Sequence, residues 1–213
     1  MAVSRRLLLI ILVCLHTHFL WVGIAPALET GTEVTLWLES DHAVATSPFS
    51  GRREIRLEAQ ERVIGSGAIG INGIVVTSRR LLGFSSRSLT WTKIDLDLNE
   101  TVLERKILAA FSLVRTDRNL YAFRGANGLW FEDALGVREQ VTRFHSNDYG
   151  AVFITNERII GFTSLLGSFS SKPLDVHERI VEITNDNGLI LVSTNRRSLV
   201  LGSRLSGWEE FSE

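Results

Sequence analysis

Short runs of alternating apolar and polar residues recur along this chain from about residue 30 to its end, and clusters of Gly, Asn, Asp and Ser separate them. Ile94, Leu96 and Leu98, for example, alternate with Asp95 and Asp97. A period of two sends successive side chains to opposite faces of an extended strand, so the pattern predicts strands and almost no helix. Asn72-Gly73, Asn127-Gly128 and Asn187-Gly188 supply residues that tolerate positive φ, and tight turns are expected there.

The alternation is itself periodic. Val76-Thr77-Ser78-Arg79-Arg80-Leu81-Leu82-Gly83-Phe84 lines up with residues 115–123, 154–162 and 193–201 at a constant offset of 39 residues. Thr77, Thr116, Thr155 and Thr194 mark one column of this repeat. Glu61, Glu100, Glu139 and Glu178, each two residues before Val63, Val102, Val141 or Ile180, mark a second, and Trp91, Trp130, Phe169 and Trp208 a third. Independent columns in one register identify an internal repeat, which determines the architecture before any single strand does. Extended backward, the frame puts Leu38 in the threonine column and matches Ile55 and Leu57 with Ile94 and Leu96. Each full copy is expected to hold four strands, in the first copy at about residues 61–65, 68–77, 80–86 and 89–97.

Four short antiparallel strands in some forty residues, repeated nearly five times, resemble the blades of a β-propeller. The resemblance is architectural and covers residues 30–213. It lacks the Gly-His and Trp-Asp pairs of WD repeats and the di-glycine of kelch repeats, and a β-trefoil would need three copies. It implies an all-β chain, a β-propeller of about five four-stranded blades, with a partial blade at 30–57 and full blades at about 61–98, 100–137, 139–176 and 178–213. The partial blade has room for strands two to four, and its first strand would fall at residues 22–27. Three outcomes follow: a three-stranded blade, a retained N-terminal segment, or an unpaired blade edge that pairs with a partner and makes a homodimer.

Residues 1–27 form the other segment. Ser4-Arg5-Arg6, the apolar run Leu7–Leu15 and Ala25-Pro26-Ala27 make a signal peptide with cleavage expected after Ala27, which predicts a secreted or periplasmic protein. The run from residue 7 to 27 is also long enough to cross a bilayer, so the alternative is a protein anchored in the membrane through it. Cleavage removes Cys14, the single cysteine, and with it any disulfide, thiol nucleophile or thiolate metal site. It also removes Arg5 and Arg6 but no acidic residue, so the formal net charge of −1 becomes more negative. With 23 Lys and Arg against 24 Asp and Glu, no positive field argues for nucleic acid as partner.

The repeated polar residues have a structural reading. Thr caps the turn between strands two and three, and Arg80, Arg118, Arg158 and Arg197 bridge to the glutamates of the blade links. The sharper alternative is one ligand site per blade, as in propeller lectins, with the aromatic column stacking on sugars. Residues that vary between blades point instead to a unique site on the opposite face. Arg124, His145, Asn147, Asp148 and Asp186 are the candidates there for ligand binding, beside Arg105, Lys106, Asn127, Arg143, Asn187 and Arg204. Asn185-Asp186-Asn187-Gly188 lacks the later bidentate acid of a calcium loop. No G-x-S-x-G, H-E-x-x-H or P-loop is present, and His42, His145 and His177 are scattered, so no catalytic residue, metal or cofactor is assigned. The sequence therefore reads as an exported binding or scaffold module for a protein or carbohydrate ligand in the cell envelope. A lectin or a glycan-active hydrolase is the alternative.

Overall fold

The computed structural model describes residues 32–203 and 207–212. The expected leader with Cys14, the strand expected at 22–27, and Arg204 lie outside the described residues. The first sheet has three strands, β1 (Thr35–Leu38), β2 (His42–Ser47) and β3 (Gly51–Arg56). Four sheets of four strands follow. The second holds β4 (Val63–Ile69), β5 (Asn72–Thr77), β6 (Arg80–Ser85) and β7 (Trp91–Asp95), and the third holds β8 (Val102–Ile107), β9 (Phe111–Thr116), β10 (Asn119–Arg124) and β11 (Leu129–Ala134). The fourth holds β12 (Val141–Ser146), β13 (Gly150–Thr155), β14 (Arg158–Thr163) and β15 (Ser168–Pro173). The fifth holds β16 (Ile180–Asp186), β17 (Leu189–Thr194), β18 (Arg197–Ser203) and β19 (Gly207–Ser212). Every sheet is an antiparallel meander in chain order, and the described residues contain no helix. This is the blade of a β-propeller, repeated along the chain.

The blades stack because their two middle strands are apolar on both faces. All of β5, β6 and β13 is buried. Ile74, Val76 and Leu81 of the second sheet pack on Val114, Tyr121 and Phe123 of the third. Phe111, Leu113 and Leu120 of the third pack on Phe153, Ile160 and Phe162 of the fourth, and Val152, Ile154 and Ile159 of the fourth on Val192, Leu199 and Leu201 of the fifth. A column of small residues makes the close approach. A Cβ added at Gly83 would lie 2.5 Å from the Phe123 ring, and one added at Gly161 would lie 2.6 Å from Leu201 Cδ1. Among the described residues, no buried cluster combines the first sheet with the fifth.

Some local expectations fail for identifiable reasons. Asn72-Gly73 is not a turn: Asn72 opens β5, and the turn falls at Gly70, where φ is +59°. The Asn72 side chain instead donates to the carbonyls of Ile69 (3.1 Å) and Leu108 (2.8 Å), tying its blade to the next. In the first sheet, Leu36 pairs with Ala45 on the face toward the second sheet, as Ile74 pairs with Gly83 on the face toward the third. The offset is therefore 38 through β2, so Glu39 and not Leu38 stands opposite the threonine column. A shorter connection between β2 and β3 restores 39 by Ile55. The strand expected to begin the first full copy at residue 61 begins at Val63, because Glu61 belongs to the link.

Candidate functional site

The two rims of the blade stack carry different chemistry. On the rim of the blade links, each link is a tight turn closed by its glutamate. Glu61, Glu100, Glu139 and Glu178 donate their N–H to the carbonyl three residues back. Their carboxylates accept from the N–H of that same residue, at 2.6, 2.7, 2.8 and 2.9 Å respectively. Thr77, Thr116, Thr155 and Thr194 accept the N–H of the residue three ahead through their hydroxyls, which holds the turn between the second and third strands. Arg80, Arg158 and Arg197 then join link to turn. Each guanidinium donates to its glutamate, at 2.8, 2.8 and 2.9 Å through Nε, and through Nη2 to a carbonyl of the preceding blade, that of Arg56, Ala134 or Pro173.

Arg118 does not occupy this column. It stands one residue short, and Asn119 holds the equivalent place, donating through Nδ2 to Glu100 Oε1 at 3.0 Å. The missing guanidinium is offset by Tyr121, whose hydroxyl lies 3.1 Å from the same oxygen, where the other blades carry Leu82, Ile160 and Leu199. Burial, with the Glu100 and Glu132 charges behind it, pushes the Tyr121 phenol up, so it stays a neutral donor. A column of Ser78, Asp117, Asn156 and Asn195, unremarked in the sequence, accepts the N–H of Arg62, Thr101, Gln140 and Arg179 at 2.7–3.1 Å.

Burial pushes the carboxyls of Glu61, Glu139 and Glu178 up, but hydrogen bonds from arginine, the link N–H and threonine more than reverse this and leave each below the usual carboxylate range. Carboxylates lowered in the folded state stabilise it above their unfolded value of about 4.3, and that contribution disappears as pH falls through the folded value. The melting temperature should therefore decline as pH is lowered below about 4.3, and Glu139→Gln should flatten that decline. A decline equally steep in Glu139→Gln would assign the acid sensitivity to other groups.

On the opposite rim, the turns of the fourth and fifth sheets enclose a hollow of about 300 Å³ lined by Tyr149, Gly150, Leu165, Asn187, Gly188, Leu189, Ile190, Leu201 and Gly202. Its walls are set by latches between blades. Asn147 Oδ1 accepts the N–H of Tyr149 and of Gly150, both at 2.9 Å, and its Nδ2 donates to Gly188 O of the next blade at 3.1 Å. Gly188, at φ +83°, follows Asn187, at +47°, in the tight turn expected there, and a Cβ at Gly188 would lie 2.9 Å from the Tyr149 ring. Ser164 donates to Tyr149 O through both its N–H and its hydroxyl, at 2.9 Å each. Arg124 of the preceding blade donates to Ser164 O at 2.6 Å and to Leu165 O at 2.9 Å.

Tyr149 is 55% exposed, Leu165 47% and Leu189 37%. Large apolar side chains held out on a rigid rim around a concave space suit an apolar anchor from a partner. Of the candidate ligand residues, Arg124 and Asn147 build this hollow by holding its turns. Asp148 precedes Tyr149 and Asp186 precedes Asn187, and both are exposed. His145 lies on β12 and does not line the hollow; its Nε2 is buried without a hydrogen-bond partner among the described residues. Arg105 and Lys106 lie in β8, the latter 5.4 Å from the Phe144 ring, so they belong to blade packing. The apolar wall went unrecognised in the sequence because Tyr149, Leu165 and Leu189 are far apart along it and fall in no column. The aromatic column itself packs between blades: Trp91, Trp130, Phe169 and Trp208 each join a different interface, and Trp91 and Trp208 donate to carbonyls of the preceding blade.

No protein-family model matches the chain, and no curated protein matches it. Among solved structures, yeast RCC1 (Prp20) bound to Kap60 is 10% identical over 81% of this chain and 54% of that one, with a TM-score of 0.41. YCF48 bound to D1 peptide is 14% identical over 85% and 68%, with a TM-score of 0.34. PorZ, a surface component of the type-IX secretion system of Porphyromonas gingivalis, is 10% identical over 85% and 27%, with a TM-score of 0.39. The chain thus spans about half the length of the yeast RCC1 chain it matches. At these identities and TM-scores, nothing about activity or partners passes from those proteins to this one.

Proposed function

We propose that this chain is an exported blade-repeat module of the cell envelope that binds a protein partner and performs no chemistry of its own. The hollow between the fourth and fifth blades takes an aromatic or aliphatic anchor of that partner. The observation that carries the reading is the set of exposed Tyr149, Leu165 and Leu189 around a space of about 300 Å³. Latches from Arg124 and Asn147 hold the rim before a partner arrives, which lowers the ordering cost of binding. Asp148 and Asp186 lie beside it as polar contacts that would orient the bound segment.

Selection of random displayed peptides on the purified protein tests this. Enriched peptides should share an apolar anchor, and Tyr149→Ser should weaken them tenfold or more, about 1.4 kcal/mol. Phe49→Ser, at a 64% exposed position in the connection between β2 and β3, should leave them unchanged. No enrichment, or affinity within twofold in Tyr149→Ser, would overturn the assignment of the hollow. Export is tested separately by N-terminal sequencing of the mature protein, with Leu28 as the expected first residue; retention of residues 7–27 would make it a membrane-anchored form.

A further inference from the structure

Among the described residues, the fifth sheet is the last of the stack, and its outer face is unlike any interface inside it. In the three preceding sheets, the face toward the next blade carries Gly83, Ala122 or Gly161 where the fifth carries Val200, and Leu81, Leu120 or Ile159 where the fifth carries Ser198. The first column is small because the next blade's large side chain occupies that space, as Phe123 does over Gly83. A valine there blocks the same approach, and a serine removes the apolar contact, so this face is not built to receive another blade of this kind.

It is nevertheless not a solvated face. Leu191 pairs with Val200 across the two middle strands, both half-buried, whereas the buried equivalents of Leu191, Ile74 and Val152, pack on a neighbour. Phe211, 54% exposed, extends the apolar strip onto β19 from its place opposite Ser198. Glu182 opposite Ser193 and Glu209 opposite Val200 flank the strip, both exposed. Neither carboxylate has a cation partner among the described residues, and the strip carries no Lys or Arg of its own.

We infer that this face docks a partner segment that is apolar along its centre and bordered by Lys or Arg, a cationic amphipathic stretch. The charge pattern selects this occupant. Two unpaired carboxylates beside an apolar strip attract cations most where the strip excludes water, and they repel an acidic surface. A second copy of this chain is disfavoured, since the exposed face of its first sheet already pairs Arg52 with Glu39 and Glu54 internally. The surface is distinct from the hollow and does not depend on its function.

A labelled 18-residue peptide of Leu and Lys in amphipathic order is the probe, with a Leu and Glu peptide of the same order as control, both titrated into the full chain by fluorescence anisotropy. The Leu and Lys peptide should bind, weaken with rising salt, and shift the methyl resonances of Leu191 and Val200. The double variant E182Q/E209Q, at exposed positions that leave the core intact, should weaken it at least fivefold, while Tyr149→Ser should not change it. Equal binding of the Leu and Glu peptide, an unchanged affinity in E182Q/E209Q, or methyl shifts confined to other residues would overturn the inference. Concentration-dependent self-association in sedimentation that Val200→Asp abolishes would overturn it in favour of a second copy as occupant.

Discussion

Phe162→Ala is expected to lower the unfolding free energy by about 3–5 kcal/mol, the range for emptying a fully buried aromatic site. Phe162 has no exposed surface, and its ring centroid lies 5.3 Å from Phe111, 6.1 Å from Phe131 and 5.1 Å from Phe169. It is thus the point where β9 and β11 of the third blade meet β14 and β15 of the fourth. Two rigid sheets form the cavity walls, so neither can collapse into the space without breaking ladder hydrogen bonds. Because each buried cluster of the described residues joins two neighbouring blades, the loss falls on a single interface, and the urea transition should broaden as the two sides uncouple. Phe211→Ala, at an exposed position, should change stability by about 0.5 kcal/mol or less. A loss below about 1 kcal/mol in Phe162→Ala would mean that the third and fourth blades are not packed as described.

Arg80→Ala should cost a comparable amount, about 3–5 kcal/mol, for a different reason. The Glu61 side chain has no exposed surface and the Arg80 side chain is 6% exposed, so removing the guanidinium leaves a carboxylate buried without its cation. It also frees the Arg56 carbonyl that Arg80 holds at 2.7 Å. Arg87→Ala, which breaks a more exposed pair with Glu33, should cost about 1 kcal/mol or less. The third blade supplies a sharper version of the experiment. Arg80→Asn alone should resemble Arg80→Ala, and Arg80→Asn with Leu82→Tyr, which copies Asn119 and Tyr121, should recover at least half of the loss. Chemical denaturation of the four variants decides it. No recovery in the pair would show that the third blade's arrangement depends on neighbours beyond these two positions.

The glutamate and threonine columns were legible because each four-stranded blade solves the same local problem with the same two residues. A link that closes on its own carbonyl needs a glutamate at one place, and a turn that caps itself needs a threonine sixteen residues later, as Thr116 and Glu100 show at 2.5 Å. Substitutions that compensate one another were not legible. Asn119 in the arginine column looks like a lost ion pair until Tyr121, two residues on and on the same face of the strand, is seen to reach the same carboxylate. Arg124 and Asn147 were legible as polar residues outside the repeat. Their partners lie some forty residues away, at Ser164, Leu165 and Gly188, and local pattern cannot show that they hold carbonyls in place. The one-residue shift in the first sheet was missed because a shorter connection restores the frame within a few residues.

The sequence by itself determined that this chain forms short strands, that from residue 61 on they come in fours, and that these units repeat every 39 residues, because alternation and periodicity are properties of local geometry. Which side chains would meet across blades was decided by the tertiary structure alone. The hollow beside Tyr149 is assembled from two blades and the acidic-edged strip along Leu191, Val200 and Phe211 from separate strands of one sheet, and each exists because particular described sheets face, or do not face, a neighbour. Contact between blades depends on the depth to which one sheet enters the next, set by the volume at positions such as Gly83 and Val200, and that depth is a property of two surfaces rather than of either strand.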